Sequence, residues 1–226
     1  MNNKVTFNSG LAESYASREA FKALRTNVMF SGAEIKVIVI TSADAGDGKS
    51  TVSAELAKSF AESGKRTLLI DADMRKSVML KRNNKTNEIS GLSEVLSGQS
   101  SKDDVIFSTQ DENFDVMFTG HFPPNPVELL GNDRLKSLFA ELKGIYDYVI
   151  VDSPPLGLVI DAAVIAAAAD AAIMVLSSGK TRRKEAAEVL NQLKKSGTKI
   201  LGAILNDAQK PYGKYYGKSY KTEYYK

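Results

Sequence analysis

The 226-residue sequence has no cysteine, one histidine and no apolar run long enough to cross a bilayer. Without thiols there are no disulfides and no thiolate metal sites, which fits a reducing compartment. The single histidine, His121, has no residue of metal-binding type beside it and reads as an ordinary loop histidine. The best membrane candidate, Ala162 to Leu176, is 15 residues long and carries Asp170 inside it, whereas a spanning helix needs about 20 apolar residues. Met1 to Gly10 hold no apolar core of a secretory signal, so none is expected and the chain reads as soluble. Excess charge is also scarce. The net charge is +3, yet Gln209 to Lys226 alone hold five lysines and one glutamate, so the body is slightly acidic. A basic tail on a near-neutral domain gives no reason to expect a nucleic-acid partner.

What is present is centred on Ser42-Ala43-Asp44-Ala45-Gly46-Asp47-Gly48-Lys49-Ser50-Thr51. This stretch follows the β-branched run from Ile35 to Thr41 and precedes a helical pattern. Backbone N–H groups of such a loop, with the positive end of the next helix, make a concave anion site for nucleotide phosphates. Lys49 would reach the β- and γ-phosphates and the Ser50 hydroxyl would ligate Mg²⁺, with ATP as the expected nucleotide. The phosphate-loop pattern G-x-x-x-x-G-K-[ST] is met except at its first position, where Ala43 stands in place of glycine.

Along the chain, Ser17 to Phe30 reads as a helix with a stripe of Ala20, Leu24 and Val28. By residue type alone, Glu19, Lys22 and Arg25 make its solvated face. Val52, Leu56 and Phe60 continue a helix after the loop, and Gly64 ends it. The next strand, Arg66 to Ile70, runs into Asp71-Ala72-Asp73-Met74-Arg75. Two carboxylates at alternate positions of an extended segment point the same way. Ligands of open parallel sheets lie beyond the carboxyl ends of the strands, so Asp71 and Asp73 are expected near the phosphate loop. The competing possibility is a capped strand end with a salt-bridged Arg75. Lys81 to Ser90 reads as loop, Gly91 to Leu96 as a short helix, and Phe114 to Thr119 as a strand leading into the proline-rich Gly120 to Pro126. Asn132 to Gly144 is a helix. The strand Tyr148 to Val151 ends in Asp152-Ser153-Pro154-Pro155, where an acid fits the second Mg²⁺ support of phosphate-loop enzymes. Asp161 opens an alanine-rich helix, Ala171 to Ser177 is a strand, Arg182 to Lys195 a surface helix and Lys199 to Leu205 the last core strand. Asn206 could read an adenine edge or merely end that strand.

Alternating strands and helices predict an α/β fold of the P-loop NTPase-like kind, one parallel sheet with helices on both faces. The expected organisation is an N-terminal segment over residues 1–16, one domain over 17–207 and a flexible tail over 208–226. Beyond Leu205 there is no Leu, Ile, Val or Phe, so the tail is expected to be disordered. It holds six of the nine tyrosines: Tyr212, Tyr215, Tyr216, Tyr220, Tyr224 and Tyr225. Interleaved tyrosine and lysine could stack on single-stranded nucleic acid or promote aggregation. Tyrosine without arginine, beside an ATP-type site, favours phosphoacceptors.

These residues resemble the bacterial tyrosine kinases of capsule and exopolysaccharide systems, often called BY-kinases. The resemblance rests on Gly48-Lys49-Ser50-Thr51, Leu69-Ile70-Asp71-Ala72-Asp73-Met74-Arg75, Val151-Asp152-Ser153-Pro154-Pro155, the terminal tyrosine cluster and Pro123-Pro124-Asn125-Pro126 with Glu128-Leu129-Leu130. It implies transfer of the γ-phosphate of ATP to tail tyrosines, with Asp71 as base and Asp73 and Asp152 holding Mg²⁺ directly or through water. It also reassigns the early helix, since Glu19, Lys22 and Arg25 match a motif that packs subunits into a ring. Lys22 stands where the family usually has arginine and lacks its planar fork. Free-standing members are cytoplasmic and work with a membrane-anchored activator of polysaccharide export. The resemblance thus implies peripheral attachment to the inner membrane face through that partner, a homo-oligomer when unphosphorylated, and a cognate phosphotyrosine phosphatase. The rival is a partitioning or positioning ATPase, a class with an extra lysine five residues before the loop lysine, where this chain has Asp44.

Overall fold

The chain is described, in a computed structural model, over residues 4–11, 14–86 and 88–208. The first half runs α1 (Tyr15–Met29), β1 (Val37–Ser42), α2 (Lys49–Glu62), β2 (Thr67–Asp71), α3 (Val78–Arg82), α4 (Leu92–Ser97), α5 (Lys102–Val105), β3 (Ile106–Ser108) and β4 (Phe114–Met117). The second half runs α6 (Pro126–Leu130), α7 (Asp133–Ile145), β5 (Tyr148–Asp152), α8 (Asp161–Ala168), β6 (Ala171–Ser177), α9 (Arg183–Lys195) and β7 (Lys199–Asn206). The strands form one sheet in the order β3-β4-β2-β5-β1-β6-β7. All pairings are parallel except β3 with β4, an antiparallel edge that the alternation of elements did not reveal. Strands β2, β5 and β1 are neighbours although far apart in sequence, so their carboxyl ends open at one place.

Both faces of the sheet are covered, which is why β1 is apolar without alternation and buried along its whole length. The pleat divides its side chains. Ile38 and Ile40 join Val52, Leu56 and Phe60 of α2 on one face, while Val37 and Val39 join Leu138, Phe139 and Leu142 of α7 on the other. Truncating a side chain such as Leu56 or Phe139 to alanine removes about 2–5 kcal/mol by transfer and cavity terms.

Three expectations are adjusted. In α1 the packed stripe is Phe21, Leu24 and Val28, and Ala20 is exposed, because the helix meets the sheet and α2 along an i, i+3, i+7 row. The strand β7 is an edge strand, with Leu205 59% exposed and a bulge opposite Ala172/Ile173 that admits one extra residue. The N-terminal segment packs on the domain: Val5 and Phe7 are buried, Val5 N–H donates to the Ser108 carbonyl, and Phe7 packs edge-on to Phe114 at 5.4 Å. The tail tyrosines lie outside the described residues. Among the described residues no helix is long and apolar enough to cross a membrane.

Candidate active site

The phosphate loop leaves β1 at Ser42 and enters α2 at Lys49. Gly46 and Gly48 adopt φ of +87° and +90°, a region that side chains rarely enter. Ala43 has no such φ, so the missing first glycine costs nothing there. The close approach has moved to the loop after β5, where a Cβ on Gly157 would stand 2.1 Å from the Ala43 carbonyl oxygen. Helix α2 begins on Gly48 with no side-chain cap, which leaves its first N–H groups and its positive dipole end for an anion. Thr51 lies in that first turn.

The loop is braced from inside and from outside. Asp47 Oδ2 accepts from the Asp44 N–H at 2.9 Å, Asp44 Oδ1 accepts from the Ala45 N–H at 2.7 Å, and Thr181 Oγ1 donates to Asp47 Oδ1 at 3.3 Å. Asn206, for which two roles stood open, donates from Nδ2 to the Asp47 carbonyl at 3.0 Å. A Cβ on Gly48 would lie 2.0 Å from that same Nδ2, so glycine is required for this contact as well as for the turn.

Beside the loop the structure brings together Lys49, Asp71, Asp73 and Asp152, all buried. Lys49 Nζ stands 3.6 Å from Asp73 Oδ2. Asp71 and Asp152 are register partners on β2 and β5. The Asp73 N–H donates to Asp71 Oδ1 at 3.1 Å, and the Ser77 hydroxyl donates to Asp71 Oδ2. Burial, reinforced by the Asp152 charge, pushes Asp71 up to about 8. Burial also lifts Asp152, to about 6, against the opposing pull of the Lys49 charge and the Ser50 and Ser53 hydroxyls. Ser53 donates to Asp152 Oδ1 at 3.2 Å and to the Lys49 carbonyl at 2.8 Å. One lysine therefore faces three carboxylates. Among the described residues, no group of three or more His, Asp or Glu side chains is placed to hold a metal ion by itself.

The two possibilities for the segment after β2 coexist. Arg75 forms a bidentate pair with Asp161, Nε to Oδ2 at 2.8 Å and Nη2 to Oδ1 at 3.1 Å, while Asp71 and Asp73 face the loop lysine's patch. Asp161, at the start of α8, is fully buried. Ser53, Ser77, Gly157 and Thr181 carried no signal in the sequence, since each is defined only by what it meets across the fold. His121 is paired rather than free, with Nδ1 2.9 Å from Glu94 Oε1. On α1, Lys22 pairs with Glu19 at 2.8 Å and Arg25 donates from Nη1 to the Ser59 carbonyl at 2.6 Å, so Arg25 ties α1 to α2 within the chain.

Comparison with known proteins follows the same lines. Residues 35–206 match the AAA domain family described as AAA_31. The tyrosine-protein kinase CpsD of Streptococcus agalactiae is 43% identical over 215 residues, covering 93% of this chain and 94% of that protein. The solved chimerical protein CapA2B2 superposes with a TM-score of 0.82 at 34% identity, over 93% of this chain and 95% of that one. The septum site-determining protein MinD of Pyrococcus horikoshii, solved with Mg-ADP, represents the rival class at a TM-score of 0.64 and 28% identity, over 76% of this chain and 70% of that one. Identity, coverage and superposition all favour the kinases over the positioning ATPase, and the chain belongs to the bacterial tyrosine-protein kinase family.

Proposed function

We propose that the chain transfers the γ-phosphate of ATP to the tyrosines of its own 209–226 segment and thereby regulates capsular or exopolysaccharide synthesis. The observation that carries this reading is the buried patch in which the loop lysine Lys49 lies 3.6 Å from Asp73 while Asp71 and Asp152 sit side by side on neighbouring strands. The loop N–H groups from Asp44 to Thr51 and the uncapped start of α2 would hold the phosphates, and Asn206 would keep the loop in shape beside the base.

The donor set fits Mg²⁺. Hydroxyl and carboxylate oxygens of Ser50, Asp73 and Asp152 are hard ligands, and three buried carboxylates gathered beside the loop lysine carry negative charge that a cation would offset. Among the described residues these ligands do not form a protein-only cage, so such an ion would keep water and share phosphate oxygens. Bound there, it would neutralise charge developing on the transferred group. Lys49 would do the same from the loop side. Asp71 would take the proton of the tyrosine hydroxyl. Burial makes it a stronger base than an exposed aspartate, closer to a phenol of pKa about 10.

The α1 residues Glu19, Lys22 and Arg25 would contribute to self-association of the unphosphorylated chain. A membrane-anchored adaptor would place it at the inner face of the membrane, and a phosphotyrosine phosphatase would reset it. Purified chain given Mg-ATP should form phosphotyrosine, and changing Tyr212, Tyr215, Tyr216, Tyr220, Tyr224 and Tyr225 to Phe should remove most of it with nucleotide affinity unchanged. Mass spectrometry that places most of the phosphate outside the six would overturn the tail assignment.

A further inference from the structure

Resting on that reading, we infer that the cleft beside the loop after β4 is a docking site for the chain's own 209–226 segment. The cleft has a volume of about 660 Å³. It is lined by Phe122, Pro123, Pro124 and Leu129 together with His121 and the carboxylates of Glu94 and Glu128, and among the described residues no lysine or arginine contributes to it. Phe122 is 42% exposed with no core contact to hide its ring. A surface of proline and phenylalanine with an exposed carboxylate suits a peptide of alternating tyrosine and lysine, whose rings stack on apolar walls and whose ammonium groups meet Glu128.

The local build keeps this surface rigid. Glu94 Oε2 accepts from the Gly91 N–H at 2.6 Å, and its Oε1 accepts from Ser93 Oγ at 2.9 Å and the His121 N–H at 3.3 Å. A Cβ on Gly91 would lie 2.2 Å from the Phe118 carbonyl, and one on Gly120 2.1 Å from Glu94 Oε2, so the loop is clamped around that carboxylate. Glu94 is thus committed to holding the loop. Glu128 is exposed and, among the described residues, meets only the Asn125 amide, at 3.2 Å, which leaves it for a lysine.

Position favours the same occupant. Strand β4 is hydrogen-bonded to β2, with Met117 opposite Ile70, so the cleft opens one strand away from Asp71. The described chain stops at Ala208, just past β7, on the same carboxyl edge of the sheet. From β7 to β4 there are five strand spacings, roughly 24 Å at about 4.8 Å each. Eighteen residues remain, and a chain of that length can reach at most about 60 Å, enough for the distance. A second large cleft, of about 610 Å³, carries Lys136 and Lys195 in its lining and would repel a +4 segment. Phosphorylation adds about −1.5 to −2 charge per tyrosine, so the acidic cleft would hold the unmodified segment and release the modified one.

The test reads binding, which is independent of catalysis. A fluorescent peptide of residues 209–226 is titrated into the full chain whose own Lys210, Lys214, Lys218, Lys221 and Lys226 are changed to Gln, so that its tail does not compete. Glu128→Lys and Phe122→Ala should each raise Kd at least tenfold, and a peptide phosphorylated on its tyrosines should bind at least tenfold more weakly. Peptide Kd values within twofold of the parent for both variants would overturn the docking site, as would equal binding of the phosphorylated peptide. Failure of the kinase reading is a separate result, the absence of phosphotyrosine from parent chain given Mg-ATP.

Discussion

Glu94 and Asp170 are carboxylates at the edge of the core, and burial pushes both upward, yet their hydrogen-bond donors outweigh it and hold them below the ordinary range. Asp170 accepts from the Lys36 and Val37 N–H groups at 3.0 and 2.9 Å and from Lys143, and so fixes where β1 begins. Asp161 is enclosed by the Arg75 fork. Asp71 and Asp152, on the same sheet, are completely enclosed, and burial outweighs their donors, the Ser77 hydroxyl and Asp73 N–H for one and the Ser50 and Ser53 hydroxyls with the Lys49 charge for the other, so they sit at about 8 and 6. The difference separates two uses of a buried acid. Where the fold needs a carboxylate as a strut, its donors outweigh burial; where the site needs one for a ligand, burial outweighs the donors, at a cost to the empty protein.

The most severe way to disturb the second group is to take away its cation. Lys49→Met should leave a folded chain whose rate of phosphotyrosine formation falls by about three or more orders of magnitude, since phosphoryl transfer depends on positioning and charge neutralisation. Retention of more than a tenth of the parent rate would remove Lys49 from the mechanism. Asp71→Asn should lower the rate by about 10²–10⁴, a general-base contribution, with nucleotide affinity within a few-fold. Loss of nucleotide binding along with the rate would make Asp71 a metal or folding element.

The same substitution sharpens the comparison in the ligand-free chain. A carboxyl whose folded pKa of about 8 exceeds its unfolded value of about 3.9 binds more protons folded than unfolded between those limits. Its contribution therefore favours folding below pH about 4 and is lost as the pH rises toward 8. Thermal midpoints of the parent should fall across that window, and Asp71→Asn should flatten the slope and stabilise the chain at pH 8. A parent and variant with parallel pH profiles would show that Asp71 is compensated after all.

Struts should respond in the opposite sense and more weakly. Arg75→Ala leaves Asp161 buried without its fork and should cost about 1–3 kcal/mol, toward the lower end because the Arg75 side chain is 40% exposed. At roughly 2–4 °C per kcal/mol for a chain of this size, calorimetry resolves the change. His121→Ala should be smallest, under about 1 kcal/mol, because Glu94 keeps the Gly91 and His121 backbone donors and the Ser93 hydroxyl. A larger loss would mean that the imidazole, not the backbone, holds the loop after β4.

Much of the fold was legible because its causes are local. β1, β2, β5 and β6 are read from β-branched and apolar runs, and α2, α7 and α9 from helical spacing, to within a residue or two of their observed ends. The site residues Lys49, Asp71, Asp73 and Asp152 were legible because each sits at a strand end or loop whose pattern is contiguous. β3 was not, since Ile106 to Ser108 are three residues whose pairing with β4 is antiparallel and supported by Val5 from the far end of the chain. Arg25 was read as part of an outward face, and only the position of α2 turns its guanidinium toward the Ser59 carbonyl.

The sequence by itself determined the phosphate loop, the order of the longer strands and helices and the identity of the acids, because backbone propensity and periodicity act over a few residues. Only the tertiary structure decided that β2, β5 and β1 lie side by side, so that acids 81 positions apart, Asp71 and Asp152, share one buried patch. It also decided which acids are buried beyond what their donors offset. Gly157 against Ala43, Asn206 against Gly48 and Ser77 against Asp71 are contacts between segments that meet only when the sheet is assembled. Their physical basis is close packing and desolvation, which depend on everything around a residue and not on its neighbours in the chain.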